Sequence, residues 1–368
     1  MPQPAVAFGG PSPEHDVSVL TGLQAVRALA AIGRPATALY WSRSADWFEV
    51  DPDLEAGDFV EGPPKGASSV RLVTGPGGGF VGSGRLGRER PVEIEAVVNC
   101  CHGGPGEDGT LQAALDLAGV AYTGPNVAGA AIGLDKLAFA GAVAAAGLPT
   151  LPRAALSADA SPPGFAGPYI VKPRFGGSSI GIEVVQDWPT AQALARTSVH
   201  LRRGAMAEPY RADADDLNVA IRSHPSLELS AIERPLRTTG GAPILGYADK
   251  YVGGEGMASA PRQLPADIPD DVAAEVRRIA SAVADLASLR GVARLDFLYD
   301  GTELLVNELN TIPGSLARYL WVDPPLPFGR LLTDLLDEAT SRPSAHYSSA
   351  GADGSALRSA GSIASKLG

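Results

Sequence analysis

The run Lys172-Pro173-Arg174-Phe175-Gly176-Gly177-Ser178-Ser179-Ile180-Gly181 sets a lysine beside two adjacent glycines and two hydroxyls. A lysine leaving a strand can neutralise phosphate charge, and a glycine-rich loop lets backbone N–H groups and hydroxyls close over phosphoryl oxygens. Taken alone, the run fits a plain hairpin with an exposed lysine equally well. A second pair of segments, Arg294-Leu295-Asp296-Phe297 and Glu308-Leu309-Asn310, places polar residues at alternate positions. Alternate residues of a strand share one face, so Asp296 can face Glu308 and Asn310 across a hairpin. Three hard oxygen donors, two of them anionic, suit Mg²⁺, which keeps its other positions for water and substrate phosphates. The competing reading is a solvated polar face with Arg294 paired to a carboxylate.

Other apparent signals carry less. Gly82-Ser83-Gly84-Arg85-Leu86-Gly87 fits G-x-G-x-x-G, but Arg88-Glu89-Arg90-Pro91 follows where a helix should open, and no P-loop motif occurs. Cys100 and Cys101 are adjacent, so in a strand they point to opposite faces and read as small packing residues. The five histidines are scattered without i,i+4 pairing, which argues against a zinc site. Any metal must be held by oxygen.

These residues need a frame. Ala5 to Phe8, the Gly9-Gly10 turn, and Val17, Leu20, Leu23, Val26 and Leu29 at helical spacing predict strand, turn and helix. Strands are expected over Ala36 to Trp41 and Glu95 to Cys101, making residues 1–125 an α/β unit with a parallel sheet whose strand ends carry ligands. The Gly-, Pro- and Arg-rich stretch 57–90 is expected to leave that sheet. An alanine-rich helix is predicted over Asp135 to Ala146, stopped by Gly147-Leu148-Pro149. Tyr169 to Pro173 and Ile180 to Val185 predict antiparallel strands around the Gly-Gly-Ser-Ser loop. A helix over Asp270 to Leu289 and a hairpin of Ala293 to Tyr299 with Glu303 to Leu309 follow.

Composition bounds the class. The 368 residues exceed one small core, and 41 acidic against 30 basic residues give a net charge of −11, which disfavours nucleic acid. No apolar run approaches the roughly 18–20 residues of a membrane span, and the first ten residues lack the pattern of a signal peptide, so a cytoplasmic protein without a membrane partner is expected. The Ser-, Ala- and Gly-rich segment 341–368 holds few large apolar residues and is expected to form a flexible tail.

Seven segments now stand in a suggestive order. They are Glu14-His15-Asp16-Val17-Ser18; His102-Gly103-Gly104-Pro105-Gly106-Glu107-Asp108-Gly109-Thr110; Asp135-Lys136; the lysine and glycine-serine loop; Lys250-Tyr251; Arg294-Leu295-Asp296-Phe297; and Asn307-Glu308-Leu309-Asn310-Thr311-Ile312-Pro313-Gly314. The set resembles the D-alanine:D-alanine ligases, a family of the ATP-grasp ligases, over about residues 4–320. It implies an α/β and α+β chain: an N-terminal Rossmann-like pre-ATP-grasp domain (1–125), a central ATP-grasp subdomain with the phosphate loop (126–210), a C-terminal subdomain with metal site and lid (211–340), and the tail.

The resemblance also implies the chemistry. A first amino acid's carboxylate attacks the γ-phosphoryl group of ATP, and the amine of a second displaces phosphate. Lys136, Lys172, Gly176, Gly177, Ser178, Ser179 and the lid residue Lys250 would hold ATP phosphates. Glu208 would receive the adenine region and Asp216 the ribose. Asp296, Glu308 and Asn310 would hold Mg²⁺, two ions being expected with Mn²⁺ as a substitute. Glu14 would bind the first ammonium and connect through Ser178 to Tyr251 of the lid, although a carboxylate there also suits a helix N-terminus. Arg294 and the N–H of Gly314 resemble the pair that stabilises the tetrahedral oxyanion. His102 is expected on the substrate side, and a homodimer is expected by resemblance.

One departure stands out. The family continues Asn-Thr-x-Pro-Gly with Met/Phe-Thr-x-x-Ser, whose Ser helps hold the second carboxylate; here Ser315-Leu316-Ala317-Arg318-Tyr319 follows. Tyr319 falls on that Ser, and Arg318 beside it is expected as a new carboxylate clamp. The reading is therefore an ATP-dependent carboxylate–amine ligase with an altered second substrate, serving specialised biosynthesis. A true cell-wall D-alanine:D-alanine ligase is the alternative, followed by an intramolecular cyclising ligase and a non-catalytic nucleotide-binding protein.

Overall fold

A computed structural model describes residues 2–84, 88–236, 261–344 and 349–366. Its first sheet contains β1 (Gln3–Gly9), β2 (Thr37–Trp41), β3 (Trp47–Val50), β4 (Ser68–Val73), β5 (Gly79–Ser83), β6 (Glu89–Pro91) and β7 (Ile94–Asn99), in the order β6-β5-β4-β3-β2-β1-β7. Helix α1 (His15–Ala31) covers it. Only β2-β1-β7 is parallel; β3 to β6 add as an antiparallel meander.

The stretch 57–90 therefore extends the sheet, contrary to the expectation that it leaves it. Its glycines and arginines hide a thin apolar thread. Trp41 stacks on Trp47 at 4.8 Å, and Phe80 meets Trp47 edge-on at 5.2 Å. A few large buried rings and the strand pairing hold an edge that periodicity alone does not reveal. The G-x-G-x-x-G match ends β5 and is followed by β6, so no phosphate-binding helix follows it.

Beyond β7 come the short α2 (Gly104–Glu107) and α3 (Thr110–Ala118), then α4 (Val127–Leu134) and α5 (Lys136–Ala145). Asp135 caps α5, accepting from the backbone N–H groups of Leu137 and Ala138 at 3.1 and 3.2 Å. That cap makes Lys136 the first residue of the helix and fixes where its side chain starts. The second sheet has the order β10-β9-β11-β8, from β8 (Ala154–Leu156), β9 (Tyr169–Pro173), β10 (Glu183–Val185) and β11 (Ala205–Pro209), with α6 (Trp188–Thr197) packed on it. The β9–β10 pairing is the expected hairpin, with β10 shorter than expected because the turn that begins at Ser178 runs on through Gly181, whose φ is +74°.

The third sheet is built from β12 (Asp215–Arg222) and β13 (Glu228–Leu229), joined after a small ribbon of β14 (Arg234–Pro235) and β15 (Arg262–Gln263) by β16 (Val292–Tyr299) and β17 (Leu304–Asn310). Its order is β13-β12-β16-β17, and α7 (Asp270–Leu286) buries Val276, Ile279, Ala280 and Val283 against Leu217, Val219, Leu295 and Phe297. The last long helix, α8 (Phe328–Ser341), returns to the first sheet. Its Leu331, Leu332, Leu335 and Leu336 are buried with Phe8, Val26 and Val98. At roughly 2 kcal/mol for each buried leucine, this seam ties the end of the chain to its beginning. In the tail, α9 (Ser355–Arg358) and its surroundings are exposed, Leu357 at 82% and Ile363 at 66%.

Candidate active site

The ends of the three sheets meet around one cleft. It is lined from the first sheet by Glu14, His102 and Glu107, from the second by Lys172, Gly176 to Ser179 and Glu208, and from the third by Asp216, Arg294, Asp296, Glu308, Asn310 and Gly314. Lys136 joins them from the start of α5.

At one end, charges are packed in pairs. Strand β9 carries Lys172 beside β11, whose Glu208 takes the Lys172 ammonium at 2.6 Å on one oxygen and the Nε of Arg153 at 2.8 Å on the other. Burial opposes the charge of Glu208, but the two cations outweigh it and hold the carboxyl below its ordinary value. Burial also pulls the Lys172 ammonium down, against the attraction of Glu208. Lys136 donates to the Gly176 carbonyl at 2.7 Å and pairs with Glu308 at 2.8 Å. Each oxygen of Glu208 thus faces one cation, so the residue is the counter-ion of Lys172 and Arg153 while it also lines the cleft.

The β16–β17 register sets Asp296 opposite Glu308 and Arg294 opposite Asn310. Arg294 grips Asp296 with two N–H donors at 2.6 and 2.7 Å, and the Asn310 amide donates to Asp296 at 3.0 Å. The oxygen trio shares a face and Arg294 pairs with its carboxylate, but Asp296 is buried, so it does not lie on a solvated face. Two carboxylates and an amide converge, a hard-donor set that fits Mg²⁺, and cationic groups now compensate both acids. Among the described residues no cluster of three or more His, Cys, Asp or Glu side chains suits a metal, which leaves this mixed set as the candidate.

At the other end, Glu14 precedes α1 without capping it through its side chain, and receives the Ser178 hydroxyl at 2.5 Å. Room for that carboxylate depends on two glycines. A Cβ on Gly103, where φ is +63°, would lie 2.3 Å from a Glu14 oxygen, and one on Gly177 would lie 2.9 Å away. Nearby, the Glu107 carboxylate accepts from the N–H groups of Gly103 and Ile312 at 2.9 and 3.0 Å, while burial and then the Glu14 charge push it up to about 7. His102 edges the cleft with both nitrogens used inside the protein. Because a carbonyl only accepts, Nδ1 donates to Ile312 O at 2.6 Å, and Nε2 then accepts from the Thr21 hydroxyl at 2.8 Å. The Ser315 N–H donates to that hydroxyl at 3.0 Å. His102 consequently lines the cleft and braces the 312–315 segment; burial pulls it down to about 4 and keeps it neutral.

Two models of known families match the chain: "D-ala D-ala ligase N-terminus" over residues 3–125 and "D-ala D-ala ligase C-terminus" over 157–336. The chain belongs to the D-alanine–D-alanine ligase family. A D-alanine–D-alanine ligase of Bradyrhizobium sp. (strain ORS 278) is 30% identical, with 92% of this chain and 95% of the relative covered. One from Nocardia farcinica is also 30% identical, over 92% and 97%. Among solved structures, the Helicobacter pylori D-alanine–D-alanine ligase superposes with a TM-score of 0.73 at 23% identity, over 94% of this chain and all of that one. The VanG D-Ala:D-Ser ligase of Enterococcus faecalis gives 0.72 at 21%, over 91% and 98%. The fold is the ATP-grasp fold, and the family's enzymes are ATP-dependent ligases that form carbon–nitrogen bonds.

Against that family pattern, the turn after Gly314 is where this ligase departs. Ser315, Leu316 and Ala317 take left-handed φ of 51°, 50° and 52°, and Leu316, Ala317 and Leu320 are buried. Left-handed backbone costs roughly 1–2 kcal/mol per residue, and the burial of those apolar side chains offsets it. The twist sends Arg318 away from the cleft: its Nε reaches Gln24 at 3.5 Å and its guanidinium lies 5.6 Å from the Phe328 ring centre. The expected carboxylate clamp is not formed, since the residue's direction was set by core packing and not by its place in the motif. Tyr319 instead lies behind the wall, accepting from Arg294 at 3.4 Å and carrying the Arg262 guanidinium 4.8 Å above its ring; Arg262 pairs with Glu233 at 2.7 Å.

Arg153, Glu107, Arg262 and Glu233 went unassigned in the sequence. Glu107 lies inside a motif that named it without a task; the other three stand outside any motif, and only sheet packing reveals them. Lys250 and Tyr251 lie outside the described residues. No described helix is long and apolar enough to cross a membrane.

Proposed function

We propose that the ligase joins the carboxylate of a D-alanine-like amino acid to an amine through an acyl phosphate, with an acceptor other than D-alanine. The observation that carries this reading is that paired phosphate lysines, an oxygen trio and the Glu14–Ser178 pair line a single cleft. Lys136, Lys172 and the Gly176–Ser179 loop hold the phosphates of ATP; Asp216 takes the ribose, and Glu208 receives the adenine region. Asp296, Glu308 and Asn310 hold the divalent ions, Mg²⁺ or Mn²⁺. These ions supply charge neutralisation to the transferring phosphoryl group. Glu14 fixes the first ammonium, so that its carboxylate is presented to the γ-phosphorus while ADP leaves. The amine then attacks the acyl carbon, phosphate departs, and Arg294 with the Gly314 N–H faces the oxygen on which negative charge gathers.

The altered acceptor rests on Tyr319, which stands behind the wall where the family motif has a small hydroxyl and acts on the cleft through the lining residues Arg294 and Arg262. A second reading, in which D-alanine fills both subsites, is favoured by the full-length match to relatives named D-alanine–D-alanine ligase. ADP release with D-alanine alone and with a panel of amines, with products identified by mass spectrometry, separates the two. Robust D-alanyl-D-alanine formation overturns the altered acceptor. Absence of ADP release with every pair overturns the ligase reading.

A further inference from the structure

Arg153 follows the breaker that ends the α5 region and precedes β8, outside every motif. Its side chain is only 2% exposed. Nε gives 2.8 Å to Glu208, NH1 gives 3.0 Å to the Lys136 carbonyl, and NH2 gives 2.5 Å to the Asn307 carbonyl and 3.1 Å to its side-chain oxygen. Glu208, Lys136 and Asn307 all line the cleft, whereas Arg153 does not. Its three partners come from β11, from the start of α5 and from β17, the strand that carries Glu308 and Asn310.

We infer that Arg153 is the positioning residue for the ATP phosphate site: it holds Lys172, through Glu208, and Lys136, through its carbonyl, at a fixed spacing from the metal-binding strand. This deepens the proposed function and rests on that reading. A guanidinium suits the task because its planar fork holds several acceptors in fixed directions, which an ammonium cannot do. The charge count points the same way. Among the described ion pairs, Lys136, Lys172 and Arg153 face Glu208 and Glu308, three cations against two carboxylates before any metal or phosphate arrives. Without Arg153 the described pairs hold two cations against two carboxylates, and Glu208 is left to Lys172, drawing that ammonium away from phosphate. A merely structural ion pair would link two neighbours; this one ties two strands of different sheets and the start of α5, all cleft-lining, while Arg153 itself does not line the cleft.

The test compares the wild type with Arg153→Met and Arg153→Lys. Arg153→Met is expected to raise KM for ATP about 30-fold, with the KM of the amino acid within about twofold and kcat within about threefold. Arg153→Lys keeps the charge without the fork and is expected to recover part of the loss, to about fivefold above wild type. Unchanged KM for ATP in a folded Arg153→Met overturns the inference, as does an equal loss in every parameter. If Arg153→Met does not fold, Arg153→Lys decides by the same KM for ATP, raised or unchanged. Calorimetric titration with a non-hydrolysable ATP analogue and Mg²⁺ separates the two readings. A wild type that binds the analogue without ligating anything refutes the proposed function and leaves the Arg153 comparison intact as a ratio of Kd values.

Discussion

The two ends of the cleft are built differently. At the proposed phosphate and metal end, the side chains sit on strands or at a capped helix start: Lys172 on β9, Glu208 on β11, Asp296 on β16, Glu308 and Asn310 on β17, and Lys136 behind its Asp135 cap. At the acceptor end, the chain passes through three left-handed residues, and a step along the sequence no longer predicts a direction in space. The same motif-matching logic therefore places Asp296 against Glu308 and Asn310, yet sends Arg318 to the wrong side. A motif transfers where the backbone has a fixed period and fails where packing chooses the turn.

The contrast can be broken most easily at its rigid end. Asp296→Asn removes one anionic oxygen of the trio and half of the Arg294 clamp, and is expected to lower ADP release about 10³-fold. If steady-state turnover holds within a few fold of wild type, the strand-borne site is misassigned.

His102 tests how firmly the acceptor end is braced. Its folded value of about 4 lies below the ordinary 6.5, so the neutral ring is favoured by folding. The stabilisation is complete above 6.5 and is lost as pH falls through 4, amounting to at most about 3 kcal/mol. Urea unfolding at pH 7 and at pH 4 should show His102→Gln losing much less stability on acidification than wild type. Parallel pH dependence of the two would remove His102 from the brace.

Tyr319→Ser sharpens the comparison at the acceptor itself. Exchanging a phenol for a small hydroxyl beside Arg294 is expected to shift the ratio of kcat/KM between D-alanine and the native amine about 10- to 100-fold toward D-alanine. A competition assay giving an unchanged product ratio would show that the ring does not shape the subsite. The smallest effect is expected of Arg318→Ala. With its guanidinium turned to Gln24 and Phe328, kcat/KM for every acceptor should stay within about twofold. A large, acceptor-dependent loss would mean that Arg318 reaches the cleft after all.

Much of the architecture follows from local pattern. The β1–α1 unit, the β9–β10 hairpin around its glycine loop, α7 and the β16–β17 ribbon can be read from spacing alone, because apolar period and turn residues act over a few positions. So could the oxygen trio and Lys172, which strand alternation places without knowledge of the rest. The β4–β6 meander was hidden by glycine and arginine, since its strands hold to the sheet by backbone bonds and a few rings.

The sequence by itself determined which charged groups gather at the proposed phosphate and metal end, for their positions repeat with the strand and need no distant partner. Only the tertiary structure decided that Glu208 is shared between Lys172 and Arg153, that His102 braces the segment before Gly314, and that Arg318 faces away. Each of those outcomes joins residues from separate elements, and which of them meet is fixed by how the sheets pack and not by any spacing along the chain.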